Sequence, residues 1–486
     1  VLLLALRGGE TAVGLDVLRD GAIGTLTLAL VGGGGAILIG SAAAWLVSLC
    51  RFPGRDVFAW ALVLPLAAPS FVLAYAYASM TWSTGAAFEI SGLSGAAFVY
   101  TVGLYPYVYL SARAAFTSQS SCALEAARSL GATPWQLFTR VALPLARPGI
   151  VAGGALAIME IAADYGAAQH FGLTTLSTAI FRAWYAHGAP QAALQIAALL
   201  LVAAVVFLMI ERRARGRAAF SGGSTRWRPL PRYPLGPLAR WGATLFCAAL
   251  VMFGAGLPLA WLARLAWLHA DASDLIGPLL NSLLLASGGA AIALGLAAII
   301  AAIARTRGAA GKAALFAAGM GYAAPGAVIA LGALALFGLA REAGMVGGLG
   351  PALALTALIW VYAARFTAAG VQPIDAGLTR LSKGLDASAR VLGARPWRRI
   401  TRVDLPIAAP SLAAAALILF VEILKELPAT LILRPFNFDT LAVKAYAYAS
   451  DERLLEAAAP SLMIFAAGLL PIILLSRQIA RARAGA

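Results

Sequence analysis

Charge is scarce in this sequence. Asp, Glu, Lys and Arg make up 12% of its 486 residues, about half of the roughly 25% that a soluble domain carries. That shortage excludes a fold whose whole surface faces water. With 61% hydrophobic residues and a mean hydropathy of +0.84, the chain reads as one that crosses a membrane many times. Cysteine is scarce as well. Cys50, Cys122 and Cys247 lie far apart, in or beside apolar runs, which excludes a zinc spacing and a disulfide framework. The histidines, His170, His187 and His269, are scattered. No HExxH, GxSxG or CxxC pattern occurs. The nearest approach to a phosphate loop, "TRGAAGKA" at 306–313, has Thr306 where the first Gly belongs and Ala313 where Ser or Thr would hold Mg2+. These absences argue against an enzyme.

What is present is a series of apolar runs of the length that crosses a bilayer, about 20 residues. They cover 24–49, 58–80, 95–116, 149–170, 192–210, 241–268, 281–304, 313–340, 350–370, 408–427 and 458–476. That predicts eleven spanning helices, or twelve with a first one cut short, because the sequence begins inside "VLLLAL" at Val1. The net charge of +16 does not indicate nucleic acid, since the arginines sit in short loops between apolar runs. Arg51 and Arg55, Arg128 to Arg147, the eight arginines from Arg212 to Arg240, Arg305 to Lys312, Arg390 to Arg402 and Arg477 to Arg483 all fall in alternate loops. The loops 81–94 and 269–280 hold only acidic residues: Glu89 in one, Asp271 and Asp274 in the other. Basic loops stay in the cytoplasm, so the central loop and the C-terminus are expected there.

One polar stretch is written twice. Leu124–Ile150 aligns with Asp386–Leu412 without gaps, 262 residues apart, and 14 of the 27 positions are identical. They include Gly131/Gly393, Pro134/Pro396, Trp135/Trp397, Pro144/Pro406 and Pro148/Pro410. Pro69 in "AAPSFVLA" matches Pro325 in "AAPGAVIA", and Arg113 in "LSAR" matches Arg365 in "YAAR". The expected organisation is therefore all-α and polytopic, with two homologous halves of about six transmembrane helices each in the same orientation. The first half is 1–210, the basic linker rich in Arg, Gly and Pro is 211–240, and the second half is 241–486. Within the motif, Gly131 suits the left-handed residue that ends a helix. Thr133 and Pro134 suit the cap and first position of the next one. That second helix carries Trp135, Phe138 and Val141 on one face, and Leu143-Pro144 is expected to stop it. A loop that keeps its sequence while the surrounding spans drift has a shared task, here the docking of a partner.

The stretch "EAARSLGATPWQLFTRVALPLARP" (125–148) resembles the EAA loop of ABC-importer permeases: EAA, three residues, Gly, then a distal Leu-Pro. The match rests on Glu125, Ala126, Ala127, Gly131 and Pro144. The second copy departs from it, with Ala387 in place of Glu125 and Asp386 one position early, but keeps Gly393 and Pro406. Residues 159–185 and 421–453 are similar to fused permeases of the ferric-iron importer family, with thiamine and phosphonate permeases looking alike. The resemblance implies the type I permease fold and a site in the bacterial inner membrane. It implies docking on two ATP-binding-cassette ATPase subunits through both loops, with ATP and Mg2+ bound by those partners and no cofactor on this chain. It further implies a periplasmic binding protein that delivers substrate, with membrane lipid around the chain. A structurally different alternative is an ion-coupled secondary transporter with two six-helix halves.

Ionisable residues inside apolar runs are costly and mark candidate sites. Glu160 and Asp164 in "MEIAADYG" are expected one turn apart on one helix face. Glu422, Lys425 and Glu426 lie in the equivalent span, "VEILKELP", with Lys425 in reach of Glu422. Two readings stay open: a carboxylate-lined path for a hard trivalent cation, which prefers oxygen ligands, or internal salt bridges that pack a gate. Tyr446 and Tyr448 are read as facing the binding protein, not as metal ligands. The charge pattern makes one prediction. A reporter active only outside the cytoplasm is silent when fused at Gly222 and active near Asp271, and the reverse pattern would overturn the orientation.

Overall fold

A computed structural model describes residues 14–84, 90–117, 119, 125–127, 129–215, 233–269, 273–304, 308–344, 350–378, 391, 402 and 405–484. Nearly all of them are helical. Among these residues six helices are long and apolar enough to cross a membrane. They lie within Leu15–Leu49, Trp135–Ala163, Pro190–Glu211, Pro237–Leu268, Ile276–Ala304 and Pro351–Asp375. Ala408–Leu424 and Ala458–Leu469 are shorter apolar helices.

Two of the expected single spans are each two helices. Arg55–Ala67 and Ser70–Ser83 meet at 90°, and Ala309–Ala323 and Gly326–Glu342 meet at 101°. The hinges are Ala68-Pro69 and Ala324-Pro325, the landmark pair of the repeat. A proline pushes the residue before it out of helical conformation. Ala68 and Ala324 both stand at ψ 121. The run at 149–170 also breaks, after Ala163, and the run at 408–427 breaks after Leu424.

The chain forms two compact units, Gly9–Ala270 with Ala445–Leu469, and Asp271–Lys444 with Leu470–Ala486 and Val1–Gly8. Their boundaries differ from those of the sequence halves: 241–270 and 445–469 fall with the first half. Each unit is built on three mutually packed helices, Gly34–Leu49, Gly92–Thr117 and Leu143–Ala163 in one, and Ile276–Ala304, Pro351–Leu378 and Leu405–Leu424 in the other. In the second triad Ala297, Ala301, Val371, Ile374 and Ala415 are buried together. Lipid is as apolar as leucine, so such helices associate through close packing of small residues. Gly153 shows how close. A Cβ built there would lie 2.6 Å from Val108 Cα and 2.7 Å from the Tyr107 carbonyl.

Gly153→Ala therefore forces two backbones apart and is expected to destabilise the first unit by about 1–3 kcal/mol. Gly242→Ala, which meets nothing within 4 Å, leaves stability unchanged or slightly raised. Thermal unfolding of the two variants in detergent checks the contrast.

Candidate functional site

The first copy of the repeated loop is a helix–turn–helix built by local chemistry. Glu125–Ala127 is helical, and Gly131 stands at φ +83, the left-handed turn that the motif called for. The Ala132 amide donates to the Ala127 carbonyl at 3.1 Å across that turn. Thr133 then opens Pro134–Leu137 with a reciprocal cap: the Gln136 amide donates to Thr133 Oγ1 at 3.3 Å, and the Thr133 amide to Gln136 Oε1 at 3.0 Å. Gln136 was missed by the sequence reading, although Thr followed three residues later by Gln is a helix-start signal. The second copy has Arg395 and Arg398 at these two positions.

Leu143-Pro144 does not stop the second helix. Five residues, Phe138–Ala142, form a wider π turn that leads directly into Leu143–Ala163. Pro144 sits in the first turn of that helix, where a missing N–H costs little. The loop is thus a rigid extension of a spanning helix. Phe138 also packs between Trp135 and Trp45, with ring centroids 5.7 Å and 4.5 Å away. Trp45 lies on Gly34–Leu49, so two long helices share the loop's base. Glu125, Ala126, Leu130, Gly131, Trp135 and Pro144 are exposed, Leu130 at 87% and Trp135 at 67%. In the second copy Ala387, Gly393 and Pro396 lie outside the described residues. Pro406 opens Leu405–Leu424, and its side chain, like that of Pro134, is not described.

Past each loop the spanning helix ends at an acidic residue. Asp164 does not continue the helix of Glu160, as one shared face required; it stands at ψ 133, beyond Ala163. Its Oδ1 instead accepts the amides of Ala167 at 2.9 Å and Ala168 at 3.4 Å, and the Tyr100 hydroxyl at 3.1 Å. Short acidic side chains compete for nearby amides in this way, and so end helices. Glu426, 262 residues on, does the same: its Oε1 accepts the Ala429 amide at 3.1 Å at the start of Pro428–Leu433. The offset that aligns the loops also aligns Glu160 with Glu422 and Asp164 with Glu426, a signal that extending the alignment would have shown.

The two breaks differ in their counter-charges. Glu426 Oε2 accepts from Arg365 Nη1, with both side chains less than 10% exposed. Lys425 reaches Glu422 at 2.8 Å, as expected. Arg113, the repeat partner of Arg365, donates instead to the Ala59 carbonyl at 2.5 Å and lies over the Tyr109 ring. Arg365 was read only as a landmark, yet an arginine inside an apolar run needs a partner. Among the described residues no three His, Cys, Asp or Glu side chains gather into a metal cluster.

Residues 36–215 match the family model of the binding-protein-dependent transport system inner membrane component. Residues 36–215 are a domain of this family of importer permeases. Across 459 residues, 91% of this chain and 87% of the relative, it is 25% identical to an Fe(3+)-transport system permease protein of Haemophilus influenzae. It is 28% identical to a molybdenum transport system permease protein of Escherichia coli, over 35% of this chain and 80% of that one. It is 27% identical to a putative 2-aminoethylphosphonate transport system permease protein of Salmonella choleraesuis, over 36% and 69%. The permease is a membrane transport component and not an enzyme, and its family sets aside the ion-coupled carrier.

In this permease the buried Arg365–Glu426 pair holds one of the two breaks. Removing one member leaves an unpaired buried charge, at a cost of about 3–5 kcal/mol. Arg365→Ala is expected to lower the unfolding temperature of the purified permease sharply, and Arg365→Ala with Glu426→Gln to recover much of it. An Arg365→Ala permease as stable as the parent would contradict this role.

Proposed function

We propose that this permease imports ferric iron across the bacterial inner membrane. A periplasmic binding protein delivers the ion, and two ATP-binding-cassette ATPase subunits drive the cycle by gripping the loops at 125–148 and 386–410. The observation that carries the iron reading is the length of one resemblance: the Fe(3+)-transport relative matches through both halves, while the molybdenum and phosphonate relatives match about a third of the chain. The acidic breaks agree with a cation as cargo, since Asp164 and Glu160 would repel an oxyanion. The grip on the ATPases is supported by the exposed Leu130 and Trp135 at the tip of a loop continuous with a spanning helix. Closure of the ATPase dimer draws such loops together and tilts the helices behind them, which alternates access to the path. Glu160, Asp164, Glu422, Lys425 and Glu426 line the path or its gate in this reading.

Proteoliposomes holding the permease, its ATPase and its binding protein are expected to take up ferric iron on addition of ATP, and not thiamine, molybdate or 2-aminoethylphosphonate. Gly131→Pro and Gly393→Pro each abolish uptake by destroying a turn, while Glu125→Ala has a milder effect, because the second loop naturally has Ala387. Uptake of another cargo in place of iron would refute the substrate. Normal uptake in Gly393→Pro would refute the second grip.

A further inference from the structure

The break at Asp164 is surrounded by phenols. The hydroxyls of Tyr165 and Tyr446 lie 2.6 Å apart. Tyr165 is held by stacking on Phe181, with ring centroids 3.8 Å apart. Tyr75, itself buried, meets the His170 ring edge-on at 5.0 Å. Asp164 and Tyr446 are each partly exposed.

The other break is built differently: there the Tyr362 hydroxyl pairs with Thr430 Oγ1 at 2.5 Å. Glu426 is met by a guanidinium, and the position of Tyr165 is taken by Leu427. Asp164 is met by two amides and a phenol, all neutral donors. One half of the duplicated scaffold thus concentrates oxygen donors around a carboxylate, while the other neutralises its carboxylate with a cation.

We propose that Tyr165, Tyr446 and Asp164 form a transient ligand site for ferric iron inside the permease, an inference that rests on the iron reading above. Hard trivalent ions take anionic oxygen donors. An octahedral ion with oxygen bonds of about 2.0–2.1 Å keeps neighbouring oxygens roughly 2.9 Å apart, close to the spacing of the two hydroxyls. Each phenol that binds gives its proton to water and displaces a water or chelator oxygen from the ion as the O–Fe bond forms, Asp164 displaces another as the carboxylate, and no electron moves. Three donors leave the remaining positions of the ion to water or a chelating anion, so the ion can depart. The competing account is a packed pair of phenols that satisfy each other's hydrogen bonds.

The test uses the full-length permease in nanodiscs, titrated with ferric nitrilotriacetate. A visible phenolate-to-iron charge-transfer band is expected, absent with gallium(III) nitrilotriacetate. Tyr165→Phe and Tyr446→Phe, which remove only a hydroxyl, each weaken the band and lower iron affinity by about tenfold or more. The permease is assayed for iron uptake in parallel. Uptake by the parent with no band, or a band unchanged in both variants, overturns the site and leaves the cargo standing. A parent that takes up no iron overturns the cargo instead.

Discussion

A helix that restarts after a break inside an apolar chain exposes first-turn amides that neither lipid nor a neighbouring side chain of Leu or Ala can satisfy. In this permease one carboxylate meets that need in each half. Asp164 collects the amides of Ala167 and Ala168, and Glu426 collects that of Ala429. The turn taken there sets where Gly166–His170 and Pro428–Leu433 start. Without an acceptor at that point the long helices from the loops would run on, and the short helices beyond would have no fixed direction.

The same scaffold then carries different chemistry in its two copies. Arg365 gives Glu426 a buried counter-ion, which makes that break a closed, charge-balanced joint. Asp164 has Tyr100 in the equivalent role, and further phenols close by. The two breaks are equivalent in position, but the residues around them give one a structural counter-ion and the other neutral oxygen donors. The bends at Ala68-Pro69 and Ala324-Pro325 show what the two copies share, since a proline's effect on its predecessor does not depend on the surroundings.

Force has a short route from the exposed loop to these breaks. Thr133 and Gln136 lock the start of the second loop helix, the π turn carries it past Pro144, and Leu143–Ala163 ends at Asp164. Trp135, Phe138 and Trp45 tie a second spanning helix to the same base. Trp135 and the acidic break at Asp164 thus stand at the two ends of one continuous helical stretch.

Much of this was legible in the sequence because it depends on local rules. Apolar run length, the repeated loop, the left-handed Gly131 and the capping Thr133 follow from residue types and spacing, and the structure has the turn at Gly131 and the cap at Thr133 in the first copy of the loop. The sequence also placed both acidic clusters in equivalent spans and paired Lys425 with Glu422. It misread the joints. Leu143-Pro144 looked like a stop and Pro69 and Pro325 looked tolerable within single spans, because whether a proline ends, bends or opens a helix depends on which carbonyls and amides find other partners. The contacts that give each break its character, Arg365 with Glu426, Tyr100 with Asp164 and Tyr446 with Tyr165, join residues 61, 64 and 281 positions apart. Periodicity and composition determine which residues are helical and apolar; only packing brings distant polar side chains to one point, because each must find its partner in an interior that offers no water.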